Sequence, residues 1–194
     1  MAIETSKSSD RTSARERLLA AADELFYGEG VHTVGIEKVL ERAGVAKATL
    51  YSAFGSKDEL VRVYLTRRHE ARQHRITAAI EQYDNPRDKL LGIFDALGEM
   101  LTQPTYRGCA FVNASAESPS GGAVNEVSTQ ARDWLRSLFA ALATEAGARD
   151  GDTLATQFML LYDGASVAAR MDHNPAVGES ARTVATALLE AAIA

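Results

Sequence analysis

Residues 33–60 read TVGIEKVLERAGVAKATLYSAFGSKDEL and contain two short helical patterns separated by a glycine turn. In the first pattern, apolar residues recur at intervals of three and four and therefore share one face of a helix. They are Ile36, Val39, Leu40 and Ala43. Gly44 ends this helix, and the second helix covers about residues 47–54 and ends at Gly55. Two short helices joined by a glycine-containing turn are typical of a helix-turn-helix, whose second helix enters the major groove of DNA.

The second helix of this pair is predicted to have one buried face and one exposed face. Leu50 and Phe54 pack against the first helix. At 100° per residue this turns Ala48 and Ser52 farthest outward, and their small side chains let the helix approach the groove floor. Lys57 lies beside the free N–H donors of the next helix, which suit a phosphate. The predicted DNA-contacting residues are Lys47, Ala48, Thr49, Tyr51, Ser52 and Lys57. The alternative is two packed helices inside an ordinary bundle.

The rest of the chain also repeats at helical spacing, without alternating β-branched runs, which predicts an all-α protein of about nine helices. The first helix is predicted over about residues 13–27, with Gly28 and Gly30 as its stop. Thr33 is the predicted cap of the second helix.

Two further helix starts carry strong capping signals. Ser56 and Glu59 form a capping box that opens a long fourth helix, and Asn85 with Pro86 opens the fifth.

Composition excludes several classes of protein. The 194 residues fit one domain, or a small module joined to a larger one. Cys109 is the single cysteine, which excludes an internal disulfide and a four-ligand zinc knuckle and suits a reducing compartment. No stretch approaches the ~18 apolar residues of a membrane span. Residues 1–17 lack the apolar run of a signal peptide, so we expect a cytoplasmic protein.

Charge and motif spacing bear on the choice between an enzyme and a binding protein. The net charge is −5, so a nucleic-acid binder has to concentrate its positive charge locally. His69 and His74 are separated by five residues, about 140° around a helix, and therefore do not share a metal. No nucleophile and base stand in a catalytic pattern, so we expect no enzyme, no metal site and no cofactor.

The helix-turn-helix run resembles the DNA-binding domain of the TetR family of bacterial repressors. The resemblance begins with residues 17–26 and the Gly30 stop and covers about the first third of the chain. It continues through residues 43–45, 49–51, 54 and 56–60. One departure is Ala46, which stands where a serine often caps the second helix.

This resemblance implies a homodimer that binds a palindromic double-stranded DNA operator and is released by a small, partly apolar effector. It implies a helix-turn-helix domain over residues 1–55, with a disordered tail at 1–12, and a helical effector-binding and dimerisation domain over 56–194. Dimerisation is expected through the last two helices, which are rich in small residues. Arg11, Arg15 and Arg17 are expected as extra phosphate contacts.

The effector site is predicted from apolar residues that recur on the middle helices and from polar residues able to orient a ligand. The predicted residues are Phe94, Leu97, Met100, Cys109, Phe111, Asn113, Trp134, Phe158, Tyr162, Asp163 and Arg170. Residues of these types at helical spacing belong to a helical core more often than to a pocket, so the core is the alternative for each of them. Cys109, near a helix start after Arg107, is also compatible with a thiol sensor.

The second function that fits the sequence is a helical protein-interaction module without sequence-specific DNA binding. The acidic balance favours it. Salt dependence distinguishes the two functions, because phosphate contacts weaken steeply as salt rises whereas apolar protein contacts change little.

Overall fold

The computed structural model describes residues 13–118 and 122–193, and within these ranges it has nine α-helices and no strand, which confirms the all-α prediction. The helices are α1 (Ala14–Glu29), α2 (Ile36–Ala43), α3 (Lys47–Phe54), α4 (Lys57–Ile80), α5 (Pro86–Leu101), α6 (Ala110–Glu117), α7 (Gly122–Glu145), α8 (Gly151–Asp172) and α9 (Val177–Ile193). The predicted disorder of residues 1–12, and Arg11 with it, lies outside the described residues.

The predicted boundaries of α1 and α2 are wrong in detail. Gly28 lies inside α1, and only Gly30, at φ 102°, ends the helix, with its N–H donating to the Phe26 carbonyl at 3.1 Å. Gly35, not Thr33, is the N-cap of α2. The turn continues past residue 33 because Val31 and Val34, on either side of it, are both buried.

The caps of α4 and α5 follow their sequence signals. The Ser56 hydroxyl accepts a hydrogen bond from the Glu59 N–H at 3.1 Å. The Asn85 side chain accepts one from the Asp88 N–H at 2.8 Å. Each cap satisfies a backbone donor that has no partner inside its helix, which fixes where the helix begins.

Contacts within the chain divide it into two compact units, one ending at Tyr64 and the other beginning at Leu65. This division falls inside α4, later than the predicted domain boundary between residues 55 and 56. The start of α4 packs within the first unit, where the Phe26 and Tyr64 rings meet edge to face at 5.6 Å. The Lys57 ammonium lies 6.0 Å from the centre of the Phe26 ring.

The first unit is held together by an apolar centre and by polar ties between its helices. Leu18 of α1 and Leu50 of α3 are fully buried. The Arg17 Nε donates to the Ala43 carbonyl at 3.1 Å and ties α1 to the C-terminal end of α2. These contacts fix the orientation of α3, whose buried face is Leu50 and Phe54.

The second unit is built around an aromatic centre. Phe94 of α5, Phe139 of α7 and Phe158 of α8 meet with ring centroids 5.3 to 5.8 Å apart. Helix α9 closes against α5 at a glycine pair, where a Cβ added to Gly178 would lie 2.7 Å from the Gly98 Cα. Glycine at position 178 therefore allows the two helices to approach closely, whereas a Cβ on Gly98 would lie 3.9 Å from the Gly178 Cα, in ordinary contact.

We predict that Ala46→Ser stabilises the protein. Ala46 caps α3 with φ −74° and ψ 151° but makes no side-chain cap hydrogen bond. A serine hydroxyl in that geometry accepts a hydrogen bond from the first turn of α3, which is worth about 1 kcal/mol. Urea denaturation measures the change. The control Ala20→Ser, inside α1, is expected to lose a few tenths of a kcal/mol, and a gain of equal size there would contradict the capping argument.

We predict that Gly178→Ala destabilises the second unit, because the added methyl forces α5 and α9 apart. The expected loss of unfolding free energy is about 1–3 kcal/mol. Gly28→Ala is the matched control, since no heavy atom lies within 4 Å of its Cβ position. In the control, helix propensity gives a gain of up to about 1 kcal/mol. Equal effects of the two substitutions in denaturation curves would rule out the close glycine contact.

Candidate nucleic-acid interface and ligand cavity

Helix α3 presents the predicted DNA-contacting residues on the face opposite its buried side. Leu50 and Phe54 are buried in the first unit. Thr49 is partly buried at the edge of the outward face. The remaining predicted residues of the helix are exposed: Lys47, Ala48, Tyr51 and Ser52. Tyr51 is 44% exposed, which is unusual for a large aromatic side chain and leaves its ring and hydroxyl available to a ligand.

Lys47 forms an ion pair at the start of this face. Its ammonium donates to the Glu37 carboxylate at 3.1 Å. This hydrogen bond and the Glu37 charge raise the pKa of Lys47. A backbone hydrogen bond, and then the bond from Lys47, lower the pKa of Glu37. Both side chains are exposed, so solvent screens the pair and its contribution is small.

The other cations of the first unit have varied surroundings. Lys57, in the first turn of α4, is partly buried beside the Phe26 ring. Arg15 lies over the Phe54 ring at 5.0 Å, and Arg17 is bound to the Ala43 carbonyl. A phosphate contact by Arg15 or Arg17, as predicted, would therefore have to compete with the contacts that these side chains make inside the unit.

A partly open cavity of about 230 Å³ lies in the second unit. Its lining combines apolar and polar side chains from α4, α6, α7 and α8. They are Arg72, Cys109, Phe111, Val112, Ser115, Ser128, Arg132, Met159 and Asp163. The volume is below the ~300–1,000 Å³ of drug-sized ligand pockets, so the cavity suits a small ligand.

Three of the predicted effector residues line this cavity, namely Cys109, Phe111 and Asp163. The others lie in different surroundings. Phe94, Leu97, Phe158 and Tyr162 are buried in the core of the second unit, and Met100 and Trp134 pack against that core.

Asn113 and Arg170 bind the same backbone carbonyl. The Asn113 amide donates to the Arg107 carbonyl at 3.0 Å, and the Arg170 Nε donates to it at 3.1 Å. The next residue, Gly108, adopts φ 98° with the Asn113 side chain close to its Cβ position. These two polar residues therefore hold the turn that leads into α6.

Sequence reasoning missed the other six lining residues, and Arg72 is the most deeply buried charged side chain among them. It is only 9% exposed, and its guanidinium lies 4.7 Å from the centre of the Phe111 ring. Desolvation by burial, the largest effect, lowers the pKa of Arg72. Residues 61–75 are rich in arginine, and an arginine at an inward position of a helix is rare unless it binds something. This stretch was therefore the sequence feature from which Arg72 could have been predicted.

The exposed surface of α8 and α9 carries large apolar side chains. Among the described residues, six large apolar or tyrosine side chains are clearly exposed, and four of them lie on these two helices. They are Leu160, Val167, Met171 and Val184. Leu160 and Met171 are 70% and 72% exposed. Many of the other residues on these two helices are buried within the unit, among them Ala165, Ala169, Ala185 and Leu189.

None of the helices in residues 13–118 and 122–193 combines the length and the hydropathy that a membrane span requires.

Comparison with known proteins connects this arrangement to a family. The family model of bacterial regulatory proteins, tetR family, matches residues 18–64. A TetR-family transcriptional regulator from Streptomyces coelicolor, SCO4454, has a crystal structure that is similar to this one with a TM-score of 0.88. The two sequences are 30% identical, and the match covers 93% of this chain and 96% of that chain. This chain therefore belongs to the TetR family of transcriptional regulators.

Two curated relatives are similar over shorter segments. The transcriptional activator FasR of Mycolicibacterium smegmatis is 31% identical over 123 residues, 62% of this chain and 56% of its own length. The transcriptional repressor NemR of Escherichia coli is 31% identical over 105 residues, 53% of each chain. The matched segments thus span just over half of each relative.

We predict that Glu37→Gln strengthens binding to double-stranded DNA. The substitution releases Lys47 and removes a negative charge beside α3, and an exposed pair is worth about 0.2–1 kcal/mol, or roughly a 1.4- to 5-fold change in Kd. Fluorescence anisotropy on labelled duplex measures it at several salt concentrations. Glu24→Gln, which breaks the 2.7 Å pair with Arg42, is the matched control. Equal gains in both variants would show a general charge effect without a role for Lys47.

Proposed function

We propose that this protein is a homodimeric transcriptional repressor that binds a palindromic DNA operator and is released by a small-molecule effector. The observation that carries the proposal is the outward face of α3. Buried Leu50 and Phe54 hold the helix so that Lys47 and Tyr51 are exposed together. A helix held in this way and lined by small residues has the shape that enters a major groove.

Repression is proposed on the family resemblance of the helix-turn-helix. The two curated relatives differ in the direction of their effect on transcription, since FasR is named an activator and NemR a repressor. In vitro transcription from a promoter that contains the operator tests this direction, because a repressor that occupies the promoter lowers the amount of transcript. An increase in transcript on adding the protein would contradict repression and leave specific DNA binding intact.

Dimerisation is proposed through α8 and α9. Leu160, Val167 and Met171 recur at intervals of seven and four and share one face of α8 with Gly164. Val184 adds an exposed apolar side chain on α9. A second copy that covers these side chains would remove their apolar surface from water, the usual origin of a homodimer interface.

Effector binding is proposed for the cavity of the second unit. Its lining has apolar side chains for a ligand body and arginine and serine side chains for a polar group. Helix α4 supplies Arg72 to this cavity and Lys57 to the predicted DNA-contacting set. A ligand that shifts α4 would therefore act on a helix that both proposed functions use.

The experiment that tests the proposal recovers sheared genomic DNA fragments bound by the purified protein at moderate salt and sequences them. Enrichment of one palindrome is the expected result. A protein-interaction module, which the net charge of −5 favours, would enrich no sequence at any salt concentration.

We predict that Lys57→Ala and Tyr51→Ala weaken operator binding in different ways. Loss of Lys57 removes a phosphate contact, which lowers the affinity for all sequences and reduces the salt slope by about 1. Loss of Tyr51 lowers the affinity more than loss of Lys57 does, and it lowers the affinity for the palindrome more than the affinity for random duplex. Titrations against operator and random duplex separate the two effects. Lys89→Ala on α5 is the charge-matched control, and unchanged affinity in both test variants would contradict the assignment.

We predict that the double variant Leu160→Lys, Val184→Lys is a monomer at concentrations where the parent protein is a dimer. Two charges per copy would face each other across the proposed interface, and unpaired charges there are costly. Light scattering at micromolar concentration measures the mass. Ser137→Lys, at an exposed position of α7, is the control. A parent protein that is monomeric would contradict the proposed interface directly.

A further inference from the structure

Arg72 occupies an unusual position for an arginine. It lines the cavity of the second unit and is nine-tenths buried. One of its terminal nitrogens donates to the Ala131 carbonyl. Its Nε is buried and has no hydrogen-bond partner among the described residues. A buried guanidinium with an unused donor is costly, because its charge has left water without full compensation.

The one carboxylate among the lining residues is already paired with another cation. Asp163 also lines the cavity, but its carboxylate accepts from the Arg132 guanidinium at 2.7 Å. That ion pair accounts for one positive and one negative charge. The charged side chains that line the cavity therefore sum to one uncompensated positive charge, which is carried by Arg72.

The side chain next to Arg72 on α4 does not offset its charge. His69 lies one turn earlier, where it supplies no negative charge, and burial, followed by the charge of Arg72, lowers its pKa. The N-cap of α6, Cys109, lines the cavity and makes no side-chain cap hydrogen bond. The start of a helix carries partial positive charge, which adds to the field of Arg72.

A purely structural role does not account for Arg72. Ala131 lies inside α7, where the helical hydrogen-bond pattern already supplies a donor for its carbonyl. The contact with Phe111 is one that an apolar side chain makes without the cost of burying a charge. Holding α4 against α7 therefore does not require a guanidinium at this position.

We propose that the cavity binds a small organic monoanion, with its carboxylate on Arg72 and its apolar body against Phe111, Val112 and Met159. A guanidinium presents its donors in a planar fork that matches a carboxylate. One uncompensated positive charge matches one negative charge, and the apolar wall favours a hydrocarbon body over a phosphate or sugar. The identification of this anion as the effector rests on the proposed function, but its binding does not.

The test compares ligands that differ only in their head group. Octanoate, 1-octanol and octylamine are titrated by calorimetry into the full-length protein in a buffer free of other carboxylates, with 4-phenylbutanoate as an aromatic carboxylate. We expect at least one of the two carboxylates to bind, and at least tenfold more tightly than 1-octanol and octylamine. Equal binding of octanol, or no binding by either carboxylate, would overturn the proposal.

Arg72→Met removes the charge while keeping an unbranched side chain, and Arg136→Met on the exposed side of α7 is the matched control. Without carboxylate, the Tm of Arg72→Met is expected to stay within about 4 °C of the parent protein or to rise, because no buried ion pair is broken. Carboxylate is expected to raise the Tm of the parent and of Arg136→Met but not that of Arg72→Met. A large loss of Tm in carboxylate-free Arg72→Met, or carboxylate binding that survives the substitution, would assign Arg72 a structural role instead.

A separate titration measures the effect of the carboxylate on operator affinity. A carboxylate that binds at Arg72 without changing operator affinity would contradict the proposed effector release but not the anion site. A neutral ligand that binds the cavity and releases DNA would contradict the anion site but support effector release.

Discussion

The burial of Leu50 and Phe54 is the constraint on which the proposed DNA-facing surface depends. Because these two side chains enter the core of the first unit, the rotation of α3 is fixed and Lys47, Tyr51 and Ser52 remain in contact with solvent. A helix of eight residues is too short to be stable alone. The packing of α3 thus supplies both its stability and its orientation.

The electrostatics of the same unit are compatible with a DNA-facing surface on an acidic protein. Several cations of this unit already bind carboxylates, as Arg42 binds Glu24 and Lys47 binds Glu37. Exposed pairs of this kind are weak, so phosphates displace the carboxylates at little cost. In this account the salt-dependent part of binding comes from few cations, and specificity depends more on the shape and side chains of α3.

Sequence reasoning predicted the features that depend on local signals. The bounds of α3 and the caps at Ser56 and Asn85 follow from residues within one turn of each other. The prediction of Thr33 as an N-cap was wrong although its side chain suits a cap. Burial of Val31 and Val34 sets the path of the chain here, and tertiary contacts of this kind outweigh local preference.

The cavity was predicted only in part, since it depends on contacts between residues that are far apart in sequence. Arg72 and Ala131 are 59 positions apart, and no local pattern links them. Cys109, Phe111 and Asp163 were included because of their residue types, and the same criterion also selected Phe94 and Phe158, which lie in the core. Apolar residues at helical spacing do not distinguish a cavity wall from a core until the helices are packed.

The most direct test of the central claim is a dimethyl sulfate footprint on a DNA fragment that the protein recovers from genomic DNA. The reagent methylates guanine N7, which lies in the major groove. If α3 of each protomer enters a major groove, guanines are protected in two segments about one helical turn, or a multiple of a turn, apart and placed symmetrically about the palindrome centre. Full guanine reactivity on DNA that the protein demonstrably occupies would contradict the account, because the protein would then be bound without α3 in the major groove.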